Sequence, residues 1–111
     1  MYVYFIKDFA GLIIFDEIDT GLGGQVASKI GKRLADLGKV NQTLVISHQP
    51  QVASLADHHY KIFKSSEDDK TNSNIIKISG DDRQKEIARM ISADKITDAA
   101  IGAAKELLLE A

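Results

Sequence analysis

Two adjacent carboxylates, Asp16 and Glu17, follow directly after the apolar run Leu-Ile-Ile-Phe at 12–15. Four apolar residues are too few for a helix, and they predict a strand that is buried on both faces. Buried parallel strands present functional groups at their carboxyl ends, so the two carboxylates are expected at the rim of a sheet. Because adjacent strand residues point to opposite sides, one carboxylate can hold a cation while the other faces a water molecule.

This pattern is typical of a Walker B strand in nucleotide-hydrolysing proteins, where the Asp holds Mg²⁺ and the Glu polarises the attacking water. Strands also end in an acidic residue simply because the loop beyond them lies in water, and a single Asp would be interpreted in that way. Here the acidic pair leads into Ile-Asp-Thr-Gly at 18–21, which favours a functional role.

Two other phosphoryl-transfer sites fit the spacing less well. A phosphotransferase of the Asp-x-Asp-x-Thr type needs its second Asp two positions after the first, whereas Asp19 lies three positions after Asp16. A receiver-type phosphoacceptor site needs acidic residues on an earlier strand, and the N-terminal stretch offers only Asp8. The Walker B interpretation is therefore the strongest of the three.

The composition limits the class of protein. The chain has 111 residues, enough for one small domain or for part of a larger one. Its formal net charge of −2 gives no electrostatic argument for direct binding to nucleic acid or to an anionic membrane. It contains no cysteine, which excludes disulfides and thiolate metal sites. No apolar run approaches the roughly 20 residues of a membrane span, and residues 1–6 lack the basic start of a signal peptide. We expect a cytoplasmic chain without a membrane partner.

Apolar periodicity predicts an α/β fold with the element order β-β-α-β-α-β-β-α-α. The predicted strands span 2–6, 12–15, 43–47, 59–64 and 74–79. The second and third of these strands are separated by a helix, so they are expected to be parallel neighbours in one sheet. The last two strands flank a polar stretch that is expected to be the loop of a hairpin at the edge of the sheet.

Four helices are predicted from apolar spacing and capping signals. The first ends at Gly38, and Gly31 within it indicates a close approach of this helix to the sheet. The later helices are signalled by Pro50 in the second, by Asp81 or Asp82 in the third and by Thr97 in the fourth. The expected inner faces are Val26, Ile30, Leu34 and Leu37 in the first, Ile87, Met90 and Ile91 in the third, and Ile101, Ala104 and Leu108 in the fourth.

His48 follows the strand predicted over 43–47, so it is expected at the same rim as Asp16 and Glu17. A lone histidine at a strand end is more often structural than functional, but the neighbouring carboxylate pair favours function. A neutral imidazole at this place could donate a hydrogen bond to a phosphate oxygen and so detect whether the phosphate is present.

Residues 12–24, 44–53 and 56–60 resemble the C-terminal end of the RecN family, bacterial recombination and DNA-repair ATPases of the SMC-like branch of the ABC ATPases. The motifs that carry the resemblance are Asp-Glu-Ile-Asp-Thr-Gly at 16–21, Ser-His-Gln-Pro-Gln-Val-Ala at 47–53 and Glu-Ile-Ala-Arg-Met at 86–90. The resemblance extends over nearly everything from Gly11 onward. It implies the C-terminal part of a P-loop NTPase sheet, from an ABC ATPase head, with flanking helices and an edge hairpin.

The resemblance also implies roles for individual residues. Asp16 would be the Walker B aspartate that holds Mg²⁺ through water, and Glu17 would be the general base or water-orienting carboxylate for attack on the γ-phosphate. His48 would be the switch histidine that contacts the γ-phosphate. The D-loop, which crosses a head-to-head dimer interface in ABC ATPases, would comprise Asp19, Thr20, Gly21, Leu22, Gly23 and Gly24. The family pattern assigns nothing to His58 and His59, which are expected to face solvent or to start a strand.

The cofactors implied are ATP and Mg²⁺, and the partners implied are the remainder of a RecN head, a second head and, through the full-length protein, DNA. The sequence contains no Gly-x-x-x-x-Gly-Lys-Ser/Thr phosphate loop, no ABC signature motif and no heptad-bearing coiled coil. We therefore expect residues 11–111 to be the C-terminal part of a head and residues 1–10 to be an atypical N-terminal segment.

Three functions remain open at this stage. The first is a portion of a RecN-like ATPase that supplies the Mg²⁺-binding and water-activating residues for repair of DNA double-strand breaks. The second is a truncated, inactive fragment with a structural or docking role. The third is another Mg²⁺-dependent phosphoryl-transfer domain that uses Asp16, Glu17 and Asp19. Because the isolated chain lacks a phosphate loop, we expect it to have negligible affinity for ATP and no turnover.

Overall fold

The computed structural model describes residues 11–67, 70–93 and 95–110, so the strand predicted over 2–6 lies outside the described residues. Within them the order of strands and helices agrees with the sequence-based prediction. The elements are β1 (Leu12–Asp16), α1 (Gly24–Gly38), β2 (Gln42–Ile46), α2 (Pro50–Ala53), β3 (His59–Glu67), β4 (Lys70–Ile78), α3 (Gly80–Ser92) and α4 (Asp98–Glu110).

β1 and β2 pair in parallel, with Leu12 opposite Gln42 and Asp16 opposite Ile46. The prediction of parallel neighbours is thus confirmed, and the carboxyl ends of both strands meet at one rim. Helix α1 makes the crossover between them, as the change of apolar period after Gly24 indicates.

The β1–β2 sheet is covered on one face only, so the expectation that its first strand is buried on both faces is wrong for the described chain. Phe15 is 4% exposed on the covered face. The opposite face carries four large apolar side chains that are each more than one-third exposed: Leu12, Ile14, Leu44 and Ile46. We call these four residues the open apolar face.

Helix α1 packs against α2 through its smallest residues. Ala27 and Gly31 are buried, whereas Val26, expected on the inner face, is 48% exposed. A Cβ added at Gly31 would lie 3.1 Å from the carbonyl oxygen of Gln51 and 3.3 Å from the Cα of Val52. The close approach predicted at Gly31 is therefore real, but the partner is helix α2 and not the sheet.

The hairpin formed by β3 and β4 is longer than predicted. The two strands are antiparallel, with Tyr60 opposite Lys77 and Ile62 opposite Ile75. Most of the polar stretch 65–73 that was expected to be a loop belongs to the strands, and its side chains make cross-strand contacts such as the bond from Asn74 Nδ2 to Ser65 Oγ at 2.7 Å. Among the described residues the hairpin is a sheet of its own, separate from β1–β2.

The hydrophobic core lies between helices α3 and α4. It is centred on Ile87, Ala88, Ala100 and Ala104, with Met90, Ile101 and Leu108 packed against it. Ile91, expected on the inner face of α3, is 37% exposed. Thr97 caps α4 as predicted, since its hydroxyl accepts the N–H of Ala100 at 3.0 Å.

Two charged side chains of α3 attach neighbouring elements to it. Glu86, which is 8% exposed, accepts hydrogen bonds from Arg89 and from Lys61 of β3, the latter at 3.1 Å. Arg83 donates to the carbonyl oxygens that follow the short helix α2, including that of Ala56 at 2.8 Å. The predicted caps Asp81 and Asp82 lie inside the first turn instead, where they favour the helix electrostatically, and Ser79 occupies the cap position without a side-chain bond.

The packing at Gly31 leads to a stability prediction with a matched control. Replacing Gly102 of α4 by Ala places the new methyl group in open space, so the gain in helix propensity should stabilise the chain by up to about 1 kcal/mol. Gly31→Ala brings the same gain in propensity but pushes α2 away, so it should give no stabilisation, and Gly31→Val should be clearly destabilising. Urea unfolding followed by circular dichroism measures the free energy of unfolding of all three variants. If Gly31→Ala stabilised the chain as much as Gly102→Ala, the close packing of Gly31 against α2 would be contradicted.

The Glu86 cluster leads to a prediction of pH dependence. Burial raises the pKa of Glu86, but the hydrogen bonds from Arg89 and Lys61 outweigh burial, and the pKa of this carboxyl lies below its ordinary value of 4.5. A lowered pKa in the folded state contributes stability that is present above the ordinary pKa and is lost as the pH falls through the folded value. At pH 7 the Glu86→Gln variant should be less stable than the original chain by about 1–3 kcal/mol.

That difference in the free energy of unfolding should shrink as the pH is lowered below 4.5. Glu106→Gln is the matched control, because Glu106 is exposed on α4 and should show no such trend. If Glu86→Gln lowered the free energy of unfolding by the same amount at pH 7 and at pH 3, the lowered pKa of Glu86 would be contradicted.

Candidate functional site

The rim where β1 and β2 end holds Asp16, Glu17 and His48. Asp16 is the last residue of β1 and is exposed, on the same side of the sheet as the open apolar face. Glu17 leaves the strand, and its backbone N–H donates to the carbonyl oxygen of Ile46 at 2.8 Å, which continues the parallel ladder by one further bond. His48 lies two residues beyond the end of β2.

Glu17 and His48 are in direct contact. His48 Nε2 lies 2.7 Å from Glu17 Oε1, with the two side chains 87% and 45% exposed. An exposed pair of this kind contributes little to the stability of the fold. The carboxylate can accept a proton from a water molecule, and the imidazole can donate to an anionic group or orient the carboxylate.

Glu17 adopts a backbone conformation that L-residues avoid. Its φ is +51°, in the left-handed region, so the alternation of side chains along a strand does not determine where it points, contrary to the expectation from its place after Asp16. The turn that follows holds this conformation, because the hydroxyl of Thr20 donates to the carbonyl oxygen of Glu17 at 2.9 Å. Gly21, with φ +78°, then completes the turn in a conformation that glycine adopts without strain.

Asp19 points into the protein and away from solvent. It is 2% exposed, and its Oδ2 accepts a hydrogen bond from the hydroxyl of Ser47. The Ser47 oxygen in turn accepts the backbone N–H of Gln49 at 2.9 Å, and Gln49 Nε2 donates to the carbonyl oxygen of Leu22 at 3.2 Å. Sequence reasoning missed Ser47 and Gln49 as parts of the site, although their places on either side of His48 are the signal that could have found them.

Gly23 and Gly24 lie at the start of α1. Gly23 occupies the N-cap position, and its carbonyl oxygen accepts the N–H of Ala27 at 2.9 Å. A Cβ at Gly24 would approach only the flexible end of Gln51, so the packing there tolerates small changes. His59 begins β3, which confirms its expected place, and His58 is exposed.

The carboxylates of this site do not converge on one point. Within the described residues no group of three His, Asp or Glu side chains is arranged to hold a metal ion. The third function considered above needs Asp16, Glu17 and Asp19 together, whereas Asp19 faces inward in this structure. Asp16 alone still fits Mg²⁺ of the nucleotide-bound kind, because such an ion takes one or two carboxylates and completes its shell with water and phosphate oxygens.

Comparison with known proteins points to one family. A region of 96 residues, 86% of this chain, is 53% identical to the DNA repair protein RecN of Rickettsia felis. The sequence identity with RecN of Deinococcus radiodurans is 43% over 86% of this chain. With RecN of Vibrio cholerae the identity is 37% over 89% of this chain. The chain belongs to the RecN family. It corresponds to the C-terminal part of RecN and spans about 18% of the length of the relatives it matches.

One solved structure has a fold similar to that of this chain. It comes from work on "ATP-driven dimerization and DNA stimulated activation of SMC ATPases" and covers 76% of this chain with a TM-score of 0.57 at 21% identity, while the chain covers 49% of that structure. The fold is that of part of a P-loop NTPase head, with small sheets and flanking helices, which agrees with the predicted fold class. A search of family models found no match. Within residues 11–67, 70–93 and 95–110, every helix is too short or too polar to cross a lipid bilayer.

The left-handed backbone conformation of Glu17 leads to a prediction about stability. Glu17→Gly relieves the left-handed conformation and should raise the free energy of unfolding by about 1 kcal/mol relative to Glu17→Ala, which keeps the strain. Both variants lose the exposed contact with His48, so this comparison isolates the backbone effect. Urea unfolding of the two variants tests it, and an Ala variant as stable as the Gly variant would show that the backbone at this position is not strained.

Proposed function

We propose that this chain is the C-terminal part of the ATPase head of a RecN-like protein that acts in recombinational repair of DNA double-strand breaks. The observation that carries the proposal is the contact between Glu17 and His48 at the carboxyl ends of two parallel strands. The identity with RecN proteins, which are DNA repair proteins, and the SMC-type fold support it.

Glu17 is the residue we assign to water activation. Its carboxylate is partly exposed at the rim, where an attacking water can approach it, and His48 holds one of its two oxygens. We assign the other carboxylate oxygen to the attacking water, from which it would accept a proton or which it would orient. His48 is nearly free in solvent, so its imidazole can turn from Glu17 to a γ-phosphate oxygen when one is present.

Asp16 is the residue we assign to Mg²⁺, held through water. Its exposed carboxylate at the end of β1 fits that role. In the complete head, Asp16 would hold Mg²⁺, which would supply positive charge to neutralise the charge that develops on the phosphate oxygens of ATP. The phosphate loop itself would come from outside this sequence, since no Gly-x-x-x-x-Gly-Lys-Ser/Thr segment is present.

The turn over 19–24 is the part we assign to the D-loop, which faces a second head. Thr20 and Gly21 are exposed and could reach a partner, whereas Asp19 is turned inward. DNA would be engaged by the full-length protein, in the cytoplasm where bacterial DNA lies. The SMC ATPase with the similar fold is described as dimerising under ATP and as stimulated by DNA.

The open apolar face supports docking onto the remainder of the head. Burying a Leu or Ile side chain contributes about 1.5–3 kcal/mol, and four such side chains lie exposed beside Asp16. This face also favours one alternative function, an inactive fragment that docks without restoring turnover.

Calorimetry with Mg²⁺-ATP tests the proposal, first on this chain alone and then on its mixture with an N-terminal head fragment of Rickettsia felis RecN. We expect no binding by the chain alone, and binding with hydrolysis in the mixture. Glu17→Gln should keep nucleotide binding in the mixture but reduce hydrolysis by about 100-fold or more, because it removes the general base. His48→Ala should also reduce hydrolysis.

Two exposed residues outside the site serve as matched controls. Glu106→Gln and His58→Ala make the same chemical changes on α4 and before β3, and should leave hydrolysis unchanged. A mixture that associates without hydrolysing ATP would favour the docking alternative. Tight ATP binding by the chain alone would contradict the assignment to this ATPase family.

A further inference from the structure

The chain on both sides of His48 is anchored to the turn after β1. Ser47 donates through its hydroxyl to Asp19 and accepts the backbone N–H of Gln49, and the side chain of Gln49 donates to the carbonyl oxygen of Leu22. Two of these bonds link distant parts of the sequence: Ser47 and Asp19 are 28 residues apart, and Gln49 and Leu22 are 27 residues apart. The residues before and after His48 are therefore held to the same turn that begins at Glu17.

The bond between Ser47 and Asp19 is partly buried, with the carboxylate as its buried member. Asp19 is 2% exposed, and a buried carboxylate must be compensated by hydrogen-bond donors. The Ser47 hydroxyl is the side-chain donor that the structure provides to it from another element. A loss of this hydroxyl would leave the carboxylate short of a donor, and Asp19 would have to move toward water and take the turn with it.

His48 itself has little to hold it. Its side chain is 87% exposed, and within the described residues its one polar side-chain contact is Glu17. Packing therefore does not determine where the imidazole lies, whereas the backbone on each side of it does.

We propose that Ser47 is a positioning residue for the Glu17–His48 pair. By bridging Asp19 and the N–H of Gln49, it sets the backbone of His48 and the turn after Glu17 in one fixed arrangement. Its importance for ATP hydrolysis rests on the proposed function, but its effect on the Glu17–His48 contact can be measured on this chain alone.

The first experiment is NMR spectroscopy of the chain alone, observing the imidazole resonances of His48 and the exchange protection of the Gln49 amide. Ser47→Ala should shift the His48 resonances toward those of Glu17→Gln, in which the contact is removed, and should lower the protection of the Gln49 amide. Ser47→Thr keeps a hydroxyl and should restore both.

Ser54→Ala is the matched control. Ser54 is 2% exposed, more deeply buried than Ser47, and its hydroxyl donates to the carbonyl oxygen of Gln51, but it makes no hydrogen bond to Asp19 or His48. This variant should change stability without moving the His48 resonances. His48 resonances that stay unchanged in Ser47→Ala, or that move equally in Ser54→Ala, would overturn the proposal.

The second experiment measures ATP turnover in the mixture with the N-terminal head fragment. Ser47→Ala should lower kcat by about 10-fold with little change in KM, because a reacting group that is loosely placed costs rate more than binding. In the His48→Ala background the same substitution should lower kcat by a smaller factor, because only the part of its effect that acts through Glu17 remains. A Ser47→Ala effect of the same size with and without His48 would overturn the proposal, whereas an inactive original mixture would contradict the proposed function and leave the NMR result to decide the role of Ser47.

Discussion

The parallel pairing of β1 with β2 is the constraint on which the site depends. The register that sets Asp16 opposite Ile46 also brings the residues after both strands to one rim. The ladder is extended by the N–H of Glu17, and this bond is made in a left-handed conformation that costs about 1–2 kcal/mol. The strain is tolerated because the turn after Glu17 and the segment around His48 are hydrogen-bonded to each other.

The hydrophobic core and the candidate site lie in different parts of the chain. The closed hydrophobic core lies between α3 and α4, whereas the site lies on a sheet with one face open. The short helix α2 connects the two parts: it follows the His48 segment, packs against Gly31 of α1, and has its carbonyl end held by Arg83 of α3. The network around Glu86 attaches the hairpin to the same helix α3.

Local signals in the sequence were enough to place Asp16, Glu17 and His48 at one rim of a sheet. A short apolar run ending in Asp16 and Glu17, and a second one ending before His48, predicted two parallel strands with polar groups at one rim. The structure confirms this arrangement and the order of the helices and strands over the described residues. The motifs around these residues also predicted membership of the RecN family, which comparison with known relatives supports.

The sequence by itself therefore determined the elements, their order and the residues at the rim, because these follow from local periodicity and from the parallel crossover. Only the tertiary structure decided which faces are covered. Val26 is exposed because α1 turns its smallest residues toward α2, and Ile14 is exposed because nothing among the described residues covers that face of β1. It also decided that Asp19 faces Ser47, since a hydrogen bond between distant segments depends on how two turns meet and leaves no periodic pattern in the chain.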